Sequence, residues 1–265
     1  MTEQTFQLPQ SLQGKTSIIT GGASGIGLAI ARLFARQGSS VYIVDRNKEA
    51  ALAAAGDITA SGGVAEACIC DVAEGESVRQ TFNGIFARGR VHILVNNAGI
   101  AHVGTITSTG EEDFDRVMRV NVRSAYLCTR AVVDHMKQSG GGVILNMASI
   151  AATAGIPDRL AYSTSKGAVL AMTFSVARDY LKDNIRCNAI SPARVHTPFV
   201  DGFVAKNYPG REPEMMDILG RAQPIGRMAQ PEEVASLAVW LCSDEAGFVT
   251  GQNYPLDGGF MNLRG

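Results

Sequence analysis

Hydrophobic positions in the first two-thirds of the chain come in short, β-branched runs: Thr16–Thr20, Val41–Val44, Ala65–Cys70, His92–Val95, Gly142–Met147 and Ile185–Ile190. Each has the length of a strand. Between them lie longer stretches, Ile26–Gln37, Asn47–Ala60, Glu74–Ala87 and Phe114–Lys137, with apolar residues at three- and four-residue spacing. That period predicts helices. Alternating strands and helices must pair in parallel, because each helix carries the chain back across the sheet in a right-handed crossover. The pattern therefore predicts an α/β fold, a doubly wound parallel sheet of about seven strands.

The rhythm breaks once. Residues 197–228 carry Pro198, Pro209, Pro213 and Pro224 among several methionines, and are expected to form an inserted lid, since long irregular segments inside compact domains are usually functional. The pattern resumes at Pro231–Leu241, a helix opened by proline in its first turn, and closes with a strand near Gln252–Leu256.

Composition narrows the picture. A chain of 265 residues that is 46% hydrophobic can bury a large core, and one domain spanning residues 1–265 is expected. Its net charge of -1, with both signs interspersed, speaks against nucleic acid or an anionic membrane as partner and leaves small molecules. No window approaches the roughly 20 apolar residues that cross a bilayer. Met1–Lys15 has neither the basic start nor the apolar stretch of an export signal, so a cytoplasmic location is expected. Cys68, Cys70, Cys128, Cys187 and Cys242 are scattered, without a C-x-x-C pair. They are expected to be reduced core residues, with no metal site.

Candidate chemistry begins after the first strand, at Thr20-Gly21-Gly22-Ala23-Ser24-Gly25-Ile26-Gly27. A turn from strand into helix needs residues that tolerate unusual dihedrals and let a pyrophosphate approach the helix N-terminus. Gly21, Gly25 and Gly27 fit those tasks, although the spacing differs from the common G-x-G-x-x-G. Asp45, 18 residues beyond Gly27, stands close to the roughly 20 expected for the carboxylate that binds an adenine ribose. It would repel a 2′-phosphate, whereas the adjacent Arg46 would attract one or stack on adenine. NAD is therefore expected over NADP. The alternative for Asp45 is a cap on the next helix.

Tyr162-Ser163-Thr164-Ser165-Lys166 opens a helical stretch, which puts Tyr162 and Lys166 on one face at i and i+4. A free tyrosine titrates near 10 and serves as a base only where nearby positive charge favours its phenolate; Lys166 and an oxidised nicotinamide would both supply it. Ser149 follows the Gly142–Met147 run, on the carboxyl edge where open α/β sheets place ligands, and can donate to a substrate oxygen.

Taken with Asp71-Val72, Asn96-Asn97-Ala98-Gly99, Asn121 and Asp257-Gly258-Gly259, these motifs closely resemble the short-chain dehydrogenase/reductase family, in its order and over essentially the whole chain. The resemblance implies a Rossmann-like fold and roles that the residues alone do not give. Asn121 would hold a water in a proton relay behind Lys166. Asp71 and Val72 would border the adenine; Asn97, Ala98 and Gly99 would line the cofactor ribose and support the sheet. Lys166 would also bind the nicotinamide ribose. Ser24, Ile26, Tyr162 and Pro192 complete the expected cofactor site, with Val195 and Thr197 on the carboxamide. Ala193 departs from the family's usual glycine. A homotetramer is implied, with Phe260–Gly265 at or near a neighbouring subunit.

The function expected is hydride transfer between nicotinamide and a secondary alcohol or ketone. Arg159, Arg194 and His196, beside Ser149 and Tyr162, are the candidate substrate residues, with His102 nearby and Asp201, Lys206 and Arg211 on the lid. Such groups suit a sugar, sugar acid or polyol. The alternative is an apolar ketone, 3-oxoacyl or hydroxysteroid-like substrate, held by Phe199, Phe203, Met215 and Met216. His92 and His135 are expected on the surface. A nucleotide-binding regulator without turnover is the rival class, and the intact Ser149, Tyr162 and Lys166 argue against it.

Overall fold

The computed structural model describes residues 11–263, apart from the side chains of Phe199, Lys206 and Asn207. The expectations resting on Phe199, on Lys206, on the first ten residues and on Arg264 and Gly265 thus lie outside the described residues. Seven parallel strands, β1 (Thr16–Thr20), β2 (Ser40–Asp45), β3 (Val64–Ile69), β4 (Ile93–Asn96), β5 (Gly142–Met147), β6 (Ile185–Pro192) and β7 (Asn253–Leu256), form one sheet in the order β3-β2-β1-β4-β5-β6-β7. Each expected strand is present. The order reverses between β1 and β4, the switch point where open parallel sheets leave a crevice at their carboxyl ends.

Period-two alternation explains the two cores. On one face Ile19, Val95 and Leu145 pack against helices α1 (Gly25–Arg36) and α9 (Pro231–Cys242), through Ile30, Phe34, Val234 and Leu241. On the other, their chain neighbours Ile18, Leu94 and Ile144 meet Phe82 of α3 (Gly75–Phe86) and Val132 and Met136 of α5 (Ser124–Gln138). Successive side chains of a strand point to opposite faces, so runs apolar at every position are what a sheet covered on both sides needs.

Helix α2 (Lys48–Ala60) is capped by Asn47, whose Oδ1 accepts from the Ala50 N–H at 3.1 Å. Asp45 therefore does not cap it. The stretch expected as one helix, Phe114–Lys137, runs from α4 (Glu111–Met118) through a π-helical turn at Arg119–Arg123 into α5. Such turns mark functional positions more often than chance, and this one carries Asn121.

Two expectations are corrected. Residues 197–228 are largely helical, with α7 (Pro198–Asn207) and α8 (Glu212–Arg221) held by Val204, Leu219 and Met228 in a small core of their own. Pro198 and Pro213 occupy first-turn positions, where the missing N–H costs nothing. His92 and His135 are half-buried, and each accepts a backbone bond, from Thr16 N–H to Nδ1 at 2.9 Å and from Val91 N–H to Nε2 at 3.1 Å. Burial lowers both pKa values, which keeps those nitrogens free to accept. All five cysteines are free thiols, four of them buried and Cys68 partly so. No helix among the described residues is long and apolar enough to cross a membrane.

Candidate active site

The carboxyl ends of β1, β2, β4, β5 and β6 supply the site, and the glycine turn is its most constrained part. Gly21 and Gly25 have φ of 62° and 52°, the left-handed region that costs side-chain-bearing residues energy. A Cβ on Gly21 would stand 2.9 Å from Ala98 Cα, and one on Gly27 would collide with the Gly21 carbonyl oxygen and the Asn97 amide. Asn97 locks the turn, donating from Nδ2 to the carbonyls of Thr20 at 3.1 Å and Gly21 at 3.0 Å. Thr20 Oγ1 in turn accepts from the N–H groups of Asn97 and Ala98. Ser24, at the N-cap of α1, makes no side-chain capping bond, and the first turn holds no acidic residue. The positive end of this helix is thus unmatched by the chain itself, which suits an anion.

Asp45, at the end of β2, accepts from the Ala23 N–H at 3.3 Å and the Asn47 N–H at 3.0 Å. Its carboxylate is held against the glycine turn, with Arg46 exposed beside it. Asp71 is exposed and accepts from the Ala73 N–H, whereas Val72 is buried with Ile18 and Val44. On the far side, the segment after β6 is pinned by a parallel bridge between Val195 and Ala229. Thr197, 9% exposed, lies where a Cβ on Gly25 would come within 3.5 Å of its methyl group.

Ser149, Tyr162 and Lys166 converge on a cavity of about 910 Å3 that also touches Ile26, Pro192, Ala193, Val195 and Thr197. Ser149 follows β5; Tyr162 and Lys166 lie one turn apart near the start of α6 (Leu160–Asp179). The Lys166 ammonium donates to the Met147 carbonyl at 2.7 Å and sits 5.7 Å from the centre of the Tyr162 ring. Burial brings its pKa down to about 8. Burial likewise pushes the Tyr162 hydroxyl above its ordinary value, opposed by a hydrogen bond with Ser149 and by the charge of Arg159. Desolvation of the phenolate is the largest of these effects, and the charge of an oxidised nicotinamide is not part of that balance.

Asn121 is committed to the chain. Its Oδ1 accepts from the Ile100 N–H at 2.7 Å, while its Nδ2 donates to the Ile100 carbonyl and to Ser165 Oγ, each at 2.9 Å. The amide thereby ties the π-helical turn to the loop after Gly99 and to α6; a water in a relay would have to use other atoms. Below, Asn96 donates to Thr129 and Asn146, and Asn146 to Thr173. This buried polar ladder fixes β4 and β5 to the helices beneath the site.

Arg159 and Arg194 both line the cavity, as does His102. His196 does not. Its Nε2 lies 2.8 Å from Asp201 Oδ1, one turn into α7, in an exposed pair, so its expected substrate role is withdrawn. Sequence reasoning missed Gln223, 3% exposed on the cavity wall. Its Nε2 faces the carbonyls of Leu219, Gly220 and Arg227, which fixes the amide orientation and leaves Oε1 without a partner among the described residues. Val103, Val200, Leu219, Met228 and Phe260 make much of the remaining wall apolar.

Comparison with known proteins places this geometry. A family model described as enoyl-(acyl carrier protein) reductase matches residues 21–261. An uncharacterised oxidoreductase of Thermotoga maritima is 40% identical over 252 residues, covering 94% of this chain and 98% of that one. The crystal structure of L-sorbose reductase from Gluconobacter frateurii, complexed with NADPH and L-sorbose, superposes with a TM-score of 0.92 at 32% identity, over 97% of this chain and all of that one (100%). That of 3-ketoacyl-(acyl-carrier-protein) reductase from Brucella melitensis, complexed with NADH, gives 0.86 at 36% identity, over 94% and 99%.

Proposed function

Because the chain belongs to the short-chain dehydrogenase/reductase family and is an oxidoreductase of that type, we propose that it moves a hydride between nicotinamide and a secondary alcohol or ketone, on a sugar, sugar acid or polyol, with NAD preferred to NADP. The observation that carries the reading is the convergence of Ser149, Tyr162 and Lys166 on one cavity beside the glycine turn. The cradle left by Gly21 and Gly27 and the uncapped end of α1 fit a dinucleotide pyrophosphate. When bound, the nicotinamide supplies the hydride acceptor or donor.

The chain's own residues do the rest. Ser149 Oγ, which accepts from the Ala151 N–H at 3.2 Å and hydrogen-bonds with Tyr162, would turn its proton to the substrate oxygen. Tyr162 gives that oxygen a proton in reduction and removes one in oxidation. Its raised pKa suits the donor role, and oxidation then depends on positive charge favouring the phenolate. Lys166, held by the Met147 carbonyl, provides part of that charge and also serves the nicotinamide ribose. Asn121, by holding the π-helical turn against Ile100 and Ser165, keeps the floor of the site rigid. Asp45 would hold the adenine ribose and Asp71 and Val72 the adenine; Asn97, Ala98, Gly99 and Pro192 would contact the cofactor, and Val195 and Thr197 would hold its carboxamide. We also propose a homotetramer working in the cytoplasm.

The sugar reading is supported by L-sorbose in the Gluconobacter enzyme and by the polar groups Arg159, Arg194 and Gln223 on the cavity wall. The apolar remainder of that wall favours a second reading, an apolar or 3-oxoacyl ketone. Formation of reduced nicotinamide, followed by its absorbance with sugars, sugar acids, polyols and apolar secondary alcohols, decides between them. Higher kcat/KM on the hydroxyl-rich set supports the first reading; higher kcat/KM on apolar alcohols replaces it with the second. No turnover with any alcohol or ketone, using either cofactor, overturns both.

A further inference from the structure

Eight of the described arginines have carboxylate partners, Arg32, Arg88, Arg116, Arg211 and Arg227 among them. Arg159 and Arg194, the two that line the cavity, have none among the described residues. Partial burial first, and then the nearby charge of Arg159, hold the Arg194 guanidinium below its ordinary pKa. Arg159 is half-buried and Arg194, at the cavity's edge, is the more exposed, and an anion placed between two like charges relieves their repulsion.

Arg159 is held in place by its backbone. Asp158 takes a left-handed conformation, φ 56°, uncommon for a residue with a side chain. The Gly104 N–H donates to the Asp158 carbonyl at 2.9 Å, and the Leu160 N–H to the Gly104 carbonyl at 3.1 Å. Arg159 thus stands at the N-cap of α6, one turn before Tyr162, where the helix end adds positive potential. Its charge reaches the Tyr162 hydroxyl as well. Arg194 comes from the opposite wall, in the segment pinned by the Val195–Ala229 bridge.

Resting on the hydride-transfer reading above, we propose that Arg159 and Arg194 form a carboxylate-binding subsite, and that the substrate is a small hydroxy acid or oxo acid whose carboxylate lies close to the carbon that reacts at Tyr162. The cofactor's phosphates do not account for the pair. The cradle for a pyrophosphate is at Gly21–Gly27 and that for an adenine ribose is at Asp45, whereas Arg159 stands on the substrate side of Tyr162, against the loop of His102 and Gly104. A planar, two-pronged carboxylate matches guanidinium forks. The apolar wall around them accommodates the carbon skeleton.

The test has two arms. In the first, kcat/KM is measured for small hydroxy acids and for the primary amides of the same compounds, with wild type, Arg159→Gln, Arg194→Gln and Arg194→Lys. The subsite predicts that wild type prefers acids by roughly 10- to 100-fold, the size of a charged hydrogen bond. Either glutamine variant should bring acid and amide to within about threefold, and the lysine variant, charged but without the fork, should fall between. Amides turned over as well as acids by wild type, an unchanged ratio in both glutamine variants, or a preference for phosphate esters over acids would overturn it. In the second arm, malonate binding to the enzyme–NADH complex is followed by calorimetry, independently of turnover. Weakening by about 10-fold or more in the double variant Arg159→Gln/Arg194→Gln, with NADH affinity kept within about twofold, supports the subsite. Equal malonate binding by wild type and double variant rejects it. Absence of turnover on every alcohol, with malonate binding intact, would reject the hydride-transfer reading and leave the anion subsite standing.

Discussion

The glycine turn and the cavity beside it are built by different means. The turn is made of backbone: glycines in left-handed conformations, a Cβ-free approach between Gly21 and Gly27, and Asn97 bonding two carbonyls of the turn. The cavity wall is made of side chains brought by separate segments, Arg159 from the loop before α6, Arg194 from the segment after β6, Gln223 from beyond α8. Backbone geometry leaves little freedom of residue choice. Side-chain walls can be rebuilt without disturbing the sheet, which is how one fold serves many substrates.

If that contrast is right, the largest effect should come from Gly27→Ala, where the added methyl meets the Gly21 carbonyl and the Asn97 amide. Overpacking on this scale costs about 3 kcal/mol, enough to lower Tm by roughly 5–10 °C in a domain of this size, and NADH affinity should fall with it. Thermal melting and fluorescence titration check both. A Tm within about 2 °C of wild type and unaltered NADH affinity would mean that the turn yields more easily than its geometry implies.

A second effect is in pH. A raised Tyr162 pKa leaves the hydroxyl protonated at neutral pH, so alcohol oxidation, which needs the phenolate, should climb with increasing pH. Ketone reduction, which needs the proton, should hold at neutral pH and decline as the medium becomes alkaline. Opposed profiles in the two directions are the expected result, read from initial rates across the pH range.

Asp45→Ala should act more narrowly. Removing a ribose partner and a phosphate-repelling charge together should weaken NAD use by about 10-fold and narrow the discrimination against NADP. The ratio of kcat/KM for the two cofactors decides it; a wild type that already prefers NADP would give the dominant role to Arg46. The smallest effect should be that of His196→Ala. Its pair with Asp201 is exposed and off the cavity, so the change should cost less than about 1 kcal/mol of stability and shift kcat/KM by less than about threefold. A large loss of kcat/KM would bring His196 back to the substrate wall.

The same contrast governs what the sequence makes legible. The central strands β1, β4, β5 and β6 stand out because both faces of the sheet are covered there, so most of their positions are buried. The glycine turn stands out because positive φ restricts residue type, and Tyr162 and Lys166 because helix geometry fixes what i and i+4 share. The helices between residues 198 and 221 are obscured by proline: Pro198 and Pro213 look like breakers until they are seen in first turns. Adjacency to Arg194 makes His196 look like a ligand, but Asp201, one turn into α7, captures it. Gln223 escapes notice because its partners are carbonyls of an irregular turn, with no sequence signature. The burial of Tyr162 is not legible in the sequence, because it depends on how the whole cavity closes around the ring.

The central claim is that Tyr162 moves the proton while the rest of the site holds the cofactor. Tyr162→Phe keeps the ring and removes only the oxygen, so it should reduce kcat to less than about a hundredth of wild type while NADH binding, followed by fluorescence titration of the same preparation, stays within about twofold. Retention of more than about a tenth of wild-type kcat by a variant that binds NADH normally would contradict the account, because a general acid/base worth the usual 10²–10⁴-fold cannot be removed so cheaply.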